Sequence, residues 1–462
     1  MKNDFRIEKD LLGELEVPEE AYWGINTQRA LNNFQISNRR FPSSFLLSLA
    51  NVKKACLQAN FQLEVIDEEK TKAIRKAVDE IIYERKFMDQ FPIDIFQTGS
   101  GTQINMNMNE VLANRANEIL GYEKGKKTPV HPNDHVNMSQ SSNDVIPTTM
   151  HLVCIEEIQK QLFPAMDRLL AILAKKIDEF SDVVKVGRTH LQDAVPIRLS
   201  TEFEVYQRQI KESKVRFYEV LKELEFLPIG GTVLGTGLNA PENFDETVIK
   251  YLKEDTGIYF QINPVKAEGI ASHNPLVRLS SVLKLLALSL LKLANDIRWM
   301  GSGPRAGLAE LLLPENEPGS SIMPGKINPT QSEALIQVCI QVIGNDVSIT
   351  FAEGYGSILD LNVTKPLIII NLLESIEILT KGMISFTNNC LKDLKANEDT
   401  IQSQLDRTLM LVTKLSPIIG YEKAGEIAKK AFISGKTIRE VVREMGIAID
   451  NLEELLDPKK MV

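Results

Sequence analysis

The chain has 462 residues, of which 43% are apolar and 25% charged, and its formal net charge at pH 7 is −9. That length and apolar fraction can build the cores of two or three globular domains. The acidic balance excludes the broad basic surface that nucleic-acid binding requires, so we expect no nucleic-acid partner.

The N-terminal stretch MKNDFRIEKDLLGELEV has neither the apolar core of a signal peptide nor the acid-poor composition of a transit peptide. The most apolar run, 281–294, is 14 residues long and is interrupted by two lysines, which is typical of a buried core helix rather than a membrane span. The four cysteines lie far apart without a CxxC pair, which favours reduced, mostly buried thiols. We therefore expect a soluble, cytoplasmic protein without membrane association.

Helical periodicity dominates the chain after a first region of shorter elements. The pattern predicts long helices at about 145–186, 196–227, 275–300, 329–352 and 366–394. A helix of about 30 residues spans roughly 45 Å, and its apolar stripe is longer than one compact domain can cover. The sequence therefore predicts that these helices pack against identical helices of other subunits.

The predicted organisation is an N-terminal domain at 1–140, a central helical bundle at 141–394 and a small C-terminal helical domain at 395–462. Two extended segments, 183–192 and 257–262, suggest small hairpins.

Glycine-rich stretches at 99–102, 230–237 and 301–307 invite a nucleotide-binding interpretation. None has the required context, because a P-loop needs GxxxxGK[ST] after a strand and a dinucleotide site needs GxGxxG between a strand and a helix. The second and third stretches are typical of tight turns at helix ends. The segment GSSIMPGKINP at 319–329 also fails as a P-loop, since Lys326 is followed by Ile327 and Asn328.

Several loops rich in Ser, Thr, Asn and Gly lead directly into predicted helices: QTGSGTQINMNMNE, MSQSSND and GSSIMPGKIN. The last gives the clearest boundary, with Asn328 at the N-cap, Pro329 at the first helical position and Glu333 in the opening turns. Free backbone amides and the helix dipole make such starts suitable for anions. A single start is most simply ordinary capping, whereas several together could hold a small polycarboxylate.

Two of the five histidines, His190 in GRTHLQDA and His131 in VHPNDH, lie in polar loops suited to proton transfer. His131 and His135 could suggest a metal pair. Pro132 makes a shared helical face doubtful and no HExxH motif is present, so we expect no metal.

The motifs GSSIMPGKINPTQSEA, GRTHLQDA, VHPNDHVNMSQSSND and QTGSGTQINMNMNEVLANRA together resemble the fumarase/aspartase superfamily and, within it, class II fumarate hydratases. The resemblance extends over nearly the whole chain. The PGKxNPTQ context and a histidine at position 190 resemble fumarases, whereas aspartases typically have PAKxNP and a glutamine at that position.

The resemblance implies a mainly α, three-domain fold whose long-helix bundle tetramerises into a 20-helix core, with active sites that draw loops from three subunits. It implies reversible trans hydration of fumarate to (S)-malate in the tricarboxylic acid cycle, without a cofactor. Ser320 would remove the C3 proton of malate to give an aci-carboxylate intermediate. His190, oriented by Glu333, would protonate the departing hydroxyl.

The resemblance also assigns residues that bind the dicarboxylate substrate: Ser100, Gly101, Thr102, Ser141, Ser142, Asn143, Thr189, Ser321, Lys326, Ile327 and Asn328. A second anion site would comprise His131, Pro132, Asn133 and Asp134.

Two alternatives stay open at this point. One is another lyase of the superfamily, such as an aspartase that releases ammonia. The other is a structural protein that kept the fold and lost the activity. The presence of every residue assigned to catalysis disfavours the second alternative.

Overall fold

The computed structural model describes residues 4–462. It is mainly α-helical, as the sequence predicts, and its few strands form short two-stranded sheets. The strands are β1 Phe5–Asp10, β2 Gly13–Pro18, β3 Val184–Thr189, β4 Gln192–Arg198, β5 Phe226–Leu227, β6 Gln261–Ile262, β7 Leu311–Leu312, β8 Ser357–Ile358, β9 Leu361–Asn362 and β10 Lys395–Ala396.

The α-helices are α1 Ile25–Asn33, α2 Ser43–Gln62, α3 Glu68–Glu84, α4 Thr102–Ile119, α5 Ser142–Glu157, α6 Phe163–Glu179, α7 Leu199–Leu224, α8 Phe244–Thr256, α9 Lys266–Ala271, α10 Asn274–Met300, α11 Thr330–Gly356, α12 Lys365–Phe386, α13 Glu398–Arg407, α14 Ser416–Ile419, α15 Tyr421–Ser434, α16 Ile438–Glu444 and α17 Leu452–Leu455. Short π-helical segments at Pro132–Val136, Ile158–Leu162 and Thr387–Leu391 lie before α5, between α5 and α6, and after α12.

The predicted long helices at 275–300, 329–352 and 366–394 correspond to α10, α11 and α12. The helix predicted at 145–186 is wrong at its C-terminal end, because α6 stops at Glu179 and β3 begins at Val184. The β-branched run there favours a strand over a helix. The helix predicted at 196–227 is likewise shortened, since β4 occupies its start and β5 its end.

The hairpin predicted at 183–192 is confirmed, because β3 pairs antiparallel with β4. The hairpin predicted at 257–262 is wrong. Within that segment β6 pairs in parallel with β5, and the chain between them contains a whole helix, α8.

The contacts divide the chain into two compact units. Unit 1 comprises residues 4–163, Val215–Lys284 and Gln341–Ile378. Its α2 packs against α3, α5 and α8, and apolar residues of α2 such as Phe45 and Leu49 are fully buried.

Unit 2 comprises Pro164–Lys214, Leu285–Ile340 and Leu379–Val462. Its β3–β4 hairpin packs against α13, where Val184 and Val186 contact Ile401 and Leu405. Leu411–Leu456 contributes a separate apolar cluster, formed mainly by α15 and α16. The domain boundaries expected from the sequence stay a prediction.

All four cysteines are buried and unpaired, which agrees with the expected reduced thiols.

Candidate active site

In unit 1, three hydroxyl groups connect the starts of two helices. The Ser100 and Thr102 hydroxyl oxygens lie 2.8 Å apart, and the Thr102 and Ser142 hydroxyl oxygens lie 3.0 Å apart. Thr102 begins α4 and Ser142 begins α5, and the Gln97 side-chain oxygen accepts a hydrogen bond from the Ile104 amide in the first turn of α4 at 3.0 Å. Two helix N-termini therefore present hydroxyl groups at one place, where the positive ends of the helix dipoles favour a carboxylate.

The loop that carries Ser100 requires its glycines. A Cβ on Gly99 would lie 1.4 Å from the backbone oxygen of Val363, and Gly101 has a φ of 78°. The backbone amide of Lys365 donates to the Gly99 oxygen at 3.0 Å. The glycines thus allow a close backbone approach that no other residue permits.

Asp144 supports the start of α5 from below and was not singled out in the sequence. Its carboxylate accepts hydrogen bonds from the backbone amides of Ser141 at 2.9 Å, Gly230 at 3.0 Å and Thr232 at 2.9 Å. Burial raises the pKa of Asp144 to about 7, although these three donors oppose that shift. The S-x-x-D pattern of a capping box was the available signal.

Asn143 is the third polar residue at this helix start. Its side-chain amide donates to the Val233 backbone oxygen at 2.9 Å. Asp144 and Asn143 therefore join the start of α5 to the glycine-rich segment 230–237, for which the sequence predicts tight turns.

The proposed second anion site folds as a π-helical turn in unit 1. The Nδ1 atom of His131 accepts hydrogen bonds from the amides of Asn133 and Asp134, both at 3.2 Å. The amide of His131 donates to Nδ1 of His135 at 2.8 Å. Both Nδ1 atoms act as acceptors within the turn, and Pro132 occupies its first position.

In unit 2, Thr189 and His190 lie at the tip of the β3–β4 hairpin. Thr189 pairs with Gln192, which leaves His190 and Leu191 as a two-residue turn with φ values of 57° and 59°. Left-handed conformations at both positions define a type I′ turn, which usually selects Asn and Gly. The turn therefore holds two unfavourable backbone conformations, a feature that concentrates at functional sites.

The segment 319–329 forms an open loop in unit 2 that precedes α11. The Ser320 hydroxyl oxygen accepts hydrogen bonds from the backbone amides of Met323 at 3.1 Å and Ile322 at 3.3 Å. Because both donors are fixed by the loop backbone, they would stabilise a negative charge on the Ser320 oxygen. The loop lines a cavity of about 400 Å³, and Ser321, Lys326 and Ile327 belong to the same loop.

Gly319 closes this loop. Its amide donates to the Lys326 oxygen at 2.9 Å, and the Asn328 side chain donates to the Gly319 oxygen at 2.6 Å. The N-cap expected at Asn328 is therefore displaced, because α11 begins at Thr330 and the Asn328 amide group closes the loop. Glu333 lies exposed in the first turn of α11.

The candidate residues fall into two sets, which the structure describes separately. Among the described residues of unit 2, His190 and Glu333 form no hydrogen bond with each other. Unit 1 holds Ser100, Gly101, Thr102, His131, Pro132, Asn133, Asp134, Ser141, Ser142 and Asn143, and unit 2 holds Thr189, His190, Ser320, Ser321, Lys326, Ile327, Asn328 and Glu333.

Comparisons with known proteins find fumarate hydratases that are similar to this chain over nearly its whole length. A family model described as Lyase matches residues 13–344, and one described as Fumarase C C-terminus matches residues 411–462. Fumarate hydratase class II of Thermosynechococcus vestitus is 51% identical over 446 residues, covering 96% of this chain and 95% of its own. The mitochondrial fumarate hydratase of Saccharomyces cerevisiae is 47% identical over 465 residues, covering 100% and 95%. The crystal structure of recombinant class II fumarase from Schistosoma mansoni has a TM-score of 0.96 and 39% identity, covering 99% of each chain.

Proposed function

The chain belongs to the class II fumarate hydratase family of lyases, and from that premise we propose that it catalyses the reversible trans hydration of fumarate to (S)-malate. The mainly α fold predicted with the family resemblance is confirmed by the same relatives. The observation that carries the proposed chemistry is the pair of backbone amides that donate to the Ser320 hydroxyl oxygen.

Ser320 acts as the base that removes the C3 proton of malate. A hydrogen bond to a neutral group stabilises by about 1 kcal/mol and one to a charged group by about 2 kcal/mol, so two amides favour the alkoxide by roughly 2 kcal/mol. This stabilisation lowers the pKa of the hydroxyl by less than about two pH units, which does not ionise an alcohol near neutral pH by itself. The positive charge of Lys326, in the same loop, supplies further stabilisation.

Loss of the C3 proton gives an aci-carboxylate, which carries an additional negative charge. Lys326, Asn328 and Ser321 hold one end of this dicarboxylate. The remaining proposed ligands are the hydroxyl groups, amides and neighbouring backbone at the starts of α4 and α5, at the hairpin tip and in the Ser320 loop: Ser100, Gly101, Thr102, Ser141, Ser142, Asn143, Thr189 and Ile327.

His190 protonates the departing hydroxyl from the opposite face, so that water leaves and fumarate forms. In the hydration direction His190 removes a proton from water as it adds to fumarate. Glu333 orients the imidazole and stabilises its cation, as the acid of a catalytic triad does. Acid and base on opposite faces give trans addition, and proton transfer of this kind requires no cofactor.

We propose that a homotetramer assembles each active site from three subunits. The support is α11, whose Val347, Phe351 and Tyr355 are spaced four residues apart and are 51%, 59% and 77% exposed. The rings of Phe351 and Tyr355 stack on each other. An apolar stripe of this kind marks an interaction surface, and pairing with the same helix of another copy would cover it.

The helix α11 is also long and apolar enough to cross a membrane, with a mean hydropathy of 1.4 in a window that is 33% buried. Asp346 argues for a protein environment, because it is buried and accepts a hydrogen bond from the Ser280 hydroxyl at 2.7 Å. Lys284 pairs with the same carboxylate. These contacts support the proposal that α11 belongs to a soluble protein, and the cytoplasmic location stays a prediction from the sequence.

His131, Pro132, Asn133 and Asp134 form the proposed second anion site. Its support is the π-helical turn, in which Asn133 and Asp134 are exposed next to the imidazole of His131, while the amides of both residues donate to that imidazole within the turn.

The proposed role of Ser320 is tested by Ser320→Ala. We expect turnover of fumarate and malate to be lost while the oligomer stays intact, and Ser403→Ala, at an exposed position on α13, to retain parental turnover. If Ser320→Ala keeps parental turnover, another group is the base. If parent and variant are both inactive towards dicarboxylates, the structural-protein alternative gains support.

A further inference from the structure

The residue types in the turn that carries His190 do not favour the conformation that the turn adopts. His190 and Leu191 both have positive φ values, and a left-handed conformation is sterically unfavourable for a residue with a side chain. Neither is a glycine or an asparagine. The geometry of the turn must therefore be imposed by the strands and by the contacts that hold them.

A bulge already shapes these strands next to the turn. The register shifts between Val186 and Arg188, so that Ala194 and Val195 together lie opposite Gly187. A Cβ on Gly187 would lie 2.5 Å from the Val195 oxygen, which explains the glycine. Bulges of this kind re-aim the residues that follow them.

Arg188 anchors the end of β3, two residues before His190. Its guanidinium donates to a Glu310 carboxylate oxygen at 2.5 Å and to the Gln404 side-chain oxygen at 3.1 Å. Gln404 in turn donates to the Leu308 oxygen at 2.7 Å. The planar guanidinium thus contacts both Glu310, directly before β7, and Gln404 on α13, a geometry that lysine cannot reproduce.

Glu310 is the centre of this network and is fully buried. Its other carboxylate oxygen lies 3.2 Å from Nζ of Lys185, a buried lysine that also donates to Glu202 at 3.0 Å. Its backbone is fixed as well, because the Glu310 amide donates to the Met300 oxygen and the Asn397 amide donates to the Glu310 oxygen, both at 2.8 Å. Glu310 therefore offers Arg188 a rigid partner.

A cavity of about 260 Å³ beside this network is lined by Lys185, Arg188, Leu191 and Glu202, among others. The Arg188 side chain consequently has space to move if its partners are removed. The charged and polar contacts, rather than close packing, therefore hold the Arg188 side chain in place.

We propose that the Arg188–Glu310 ion pair, supported by Gln404, is the positioning device that fixes the His190 turn for catalysis. Arg188 and Glu310 act through His190 and do not touch the substrate. This inference rests on the proposed function for its catalytic consequence, whereas its structural part concerns the turn alone.

Arg188→Lys tests the proposal and Arg198→Lys is the matched control. Arg198 lies at the far end of the same hairpin, and within residues 4–462 its guanidinium donates only to the Ser181 oxygen at 3.2 Å. We expect Arg188→Lys to lower kcat for fumarate about 10- to 100-fold with KM within about twofold, because small misplacement of a catalytic group mainly affects the chemical step. Arg198→Lys should retain parental kinetics.

A double-mutant cycle separates positioning from general destabilisation. In a His190→Asn background, we expect Arg188→Lys to change the residual kcat by less than about twofold, since the residue through which it acts is already absent. An equal loss in both backgrounds would overturn the proposal. Gln404→Met, which keeps the ion pair, should give a smaller loss and serves if Arg188→Lys fails to fold.

Hydrogen exchange measured by mass spectrometry provides a readout that does not need activity. Arg188→Lys should speed exchange in the peptide that spans the His190 turn by at least about tenfold, and Arg198→Lys should not. Unchanged exchange at the turn would overturn the inference. If the parent chain does not hydrate fumarate, the proposed function fails, and the exchange result alone decides whether these residues fix the turn.

Discussion

His151 is expected to make the folded state sensitive to acid. Its ring is buried on α5 and its Nδ1 atom lies 3.0 Å from the Leu224 backbone oxygen, to which the ring N–H donates. Burial disfavours the imidazolium and lowers the pKa of His151 from 6.5 to about 4. The unfolded chain therefore takes up a proton at a pH where the folded chain does not.

The sign and size of this effect follow from proton linkage. Above pH 6.5 the ring is neutral in both states, and as the pH falls from 6.5 towards 4 the unfolded state gains a proton and stability is lost. The loss is about 2 kcal/mol at pH 5 and approaches about 3 kcal/mol near pH 4. Such a loss is a large share of the stability of an ordinary domain.

His151→Gln removes the titrating group and keeps an amide donor for the Leu224 oxygen. Urea unfolding of parent and variant should be compared at pH 7 and pH 5 at equal protein concentration. The parent should lose about 2 kcal/mol more than the variant between these two pH values, because all other titrating groups cancel in the comparison. Equal losses in both proteins would refute the reasoning.

Three further predictions concern other parts of the chain. Glu110 is buried and accepts hydrogen bonds from the amides of Gly24, Asn26 and Thr27 at the start of α1. Glu110→Gln should therefore lower the free energy of unfolding in urea by about 1–3 kcal/mol, and an unchanged urea midpoint would contradict this prediction. A Cβ on Gly319 would lie 2.4 Å from the Lys326 oxygen, so Gly319→Ala should lower kcat by more than about tenfold with an unchanged melting temperature. A variant with parental kcat would contradict this prediction. Phe351→Glu places a charge on the exposed stripe of α11, so the variant should sediment as a smaller oligomer than the parent. An unchanged oligomer size would exclude that stripe as the interface.

The helices with strong local boundaries were predictable. The prediction for α10 was correct to within one residue at its start, because Pro275 is compatible with a first helical turn and Gly301 follows the last residue. The prediction for α6 overran into β3 because an apolar, β-branched run fits both periods until its pairing partner is known. That partner, β4, follows only after the His190 turn.

The candidate residues themselves were accessible through short motifs, whereas their supports were not. Asp144 contacts Gly230, 86 residues away, and Arg188 contacts Glu310, 122 residues away. Local pattern also gives no sign that Lys185 is buried, since lysine is ordinarily exposed. Such contacts depend on tertiary packing, and only their local members, such as the capping box of Ser141 and Asp144, leave a signal in the sequence.

The most direct test of the proposed function is the ultraviolet absorbance of fumarate, followed after (S)-malate or aspartate is added to the purified protein. We expect absorbance to rise with malate and to stay flat with aspartate, because the role proposed for His190 is that of the acid for a departing hydroxyl. A rise with aspartate and none with malate would contradict the fumarate hydratase assignment and favour an ammonia-releasing lyase.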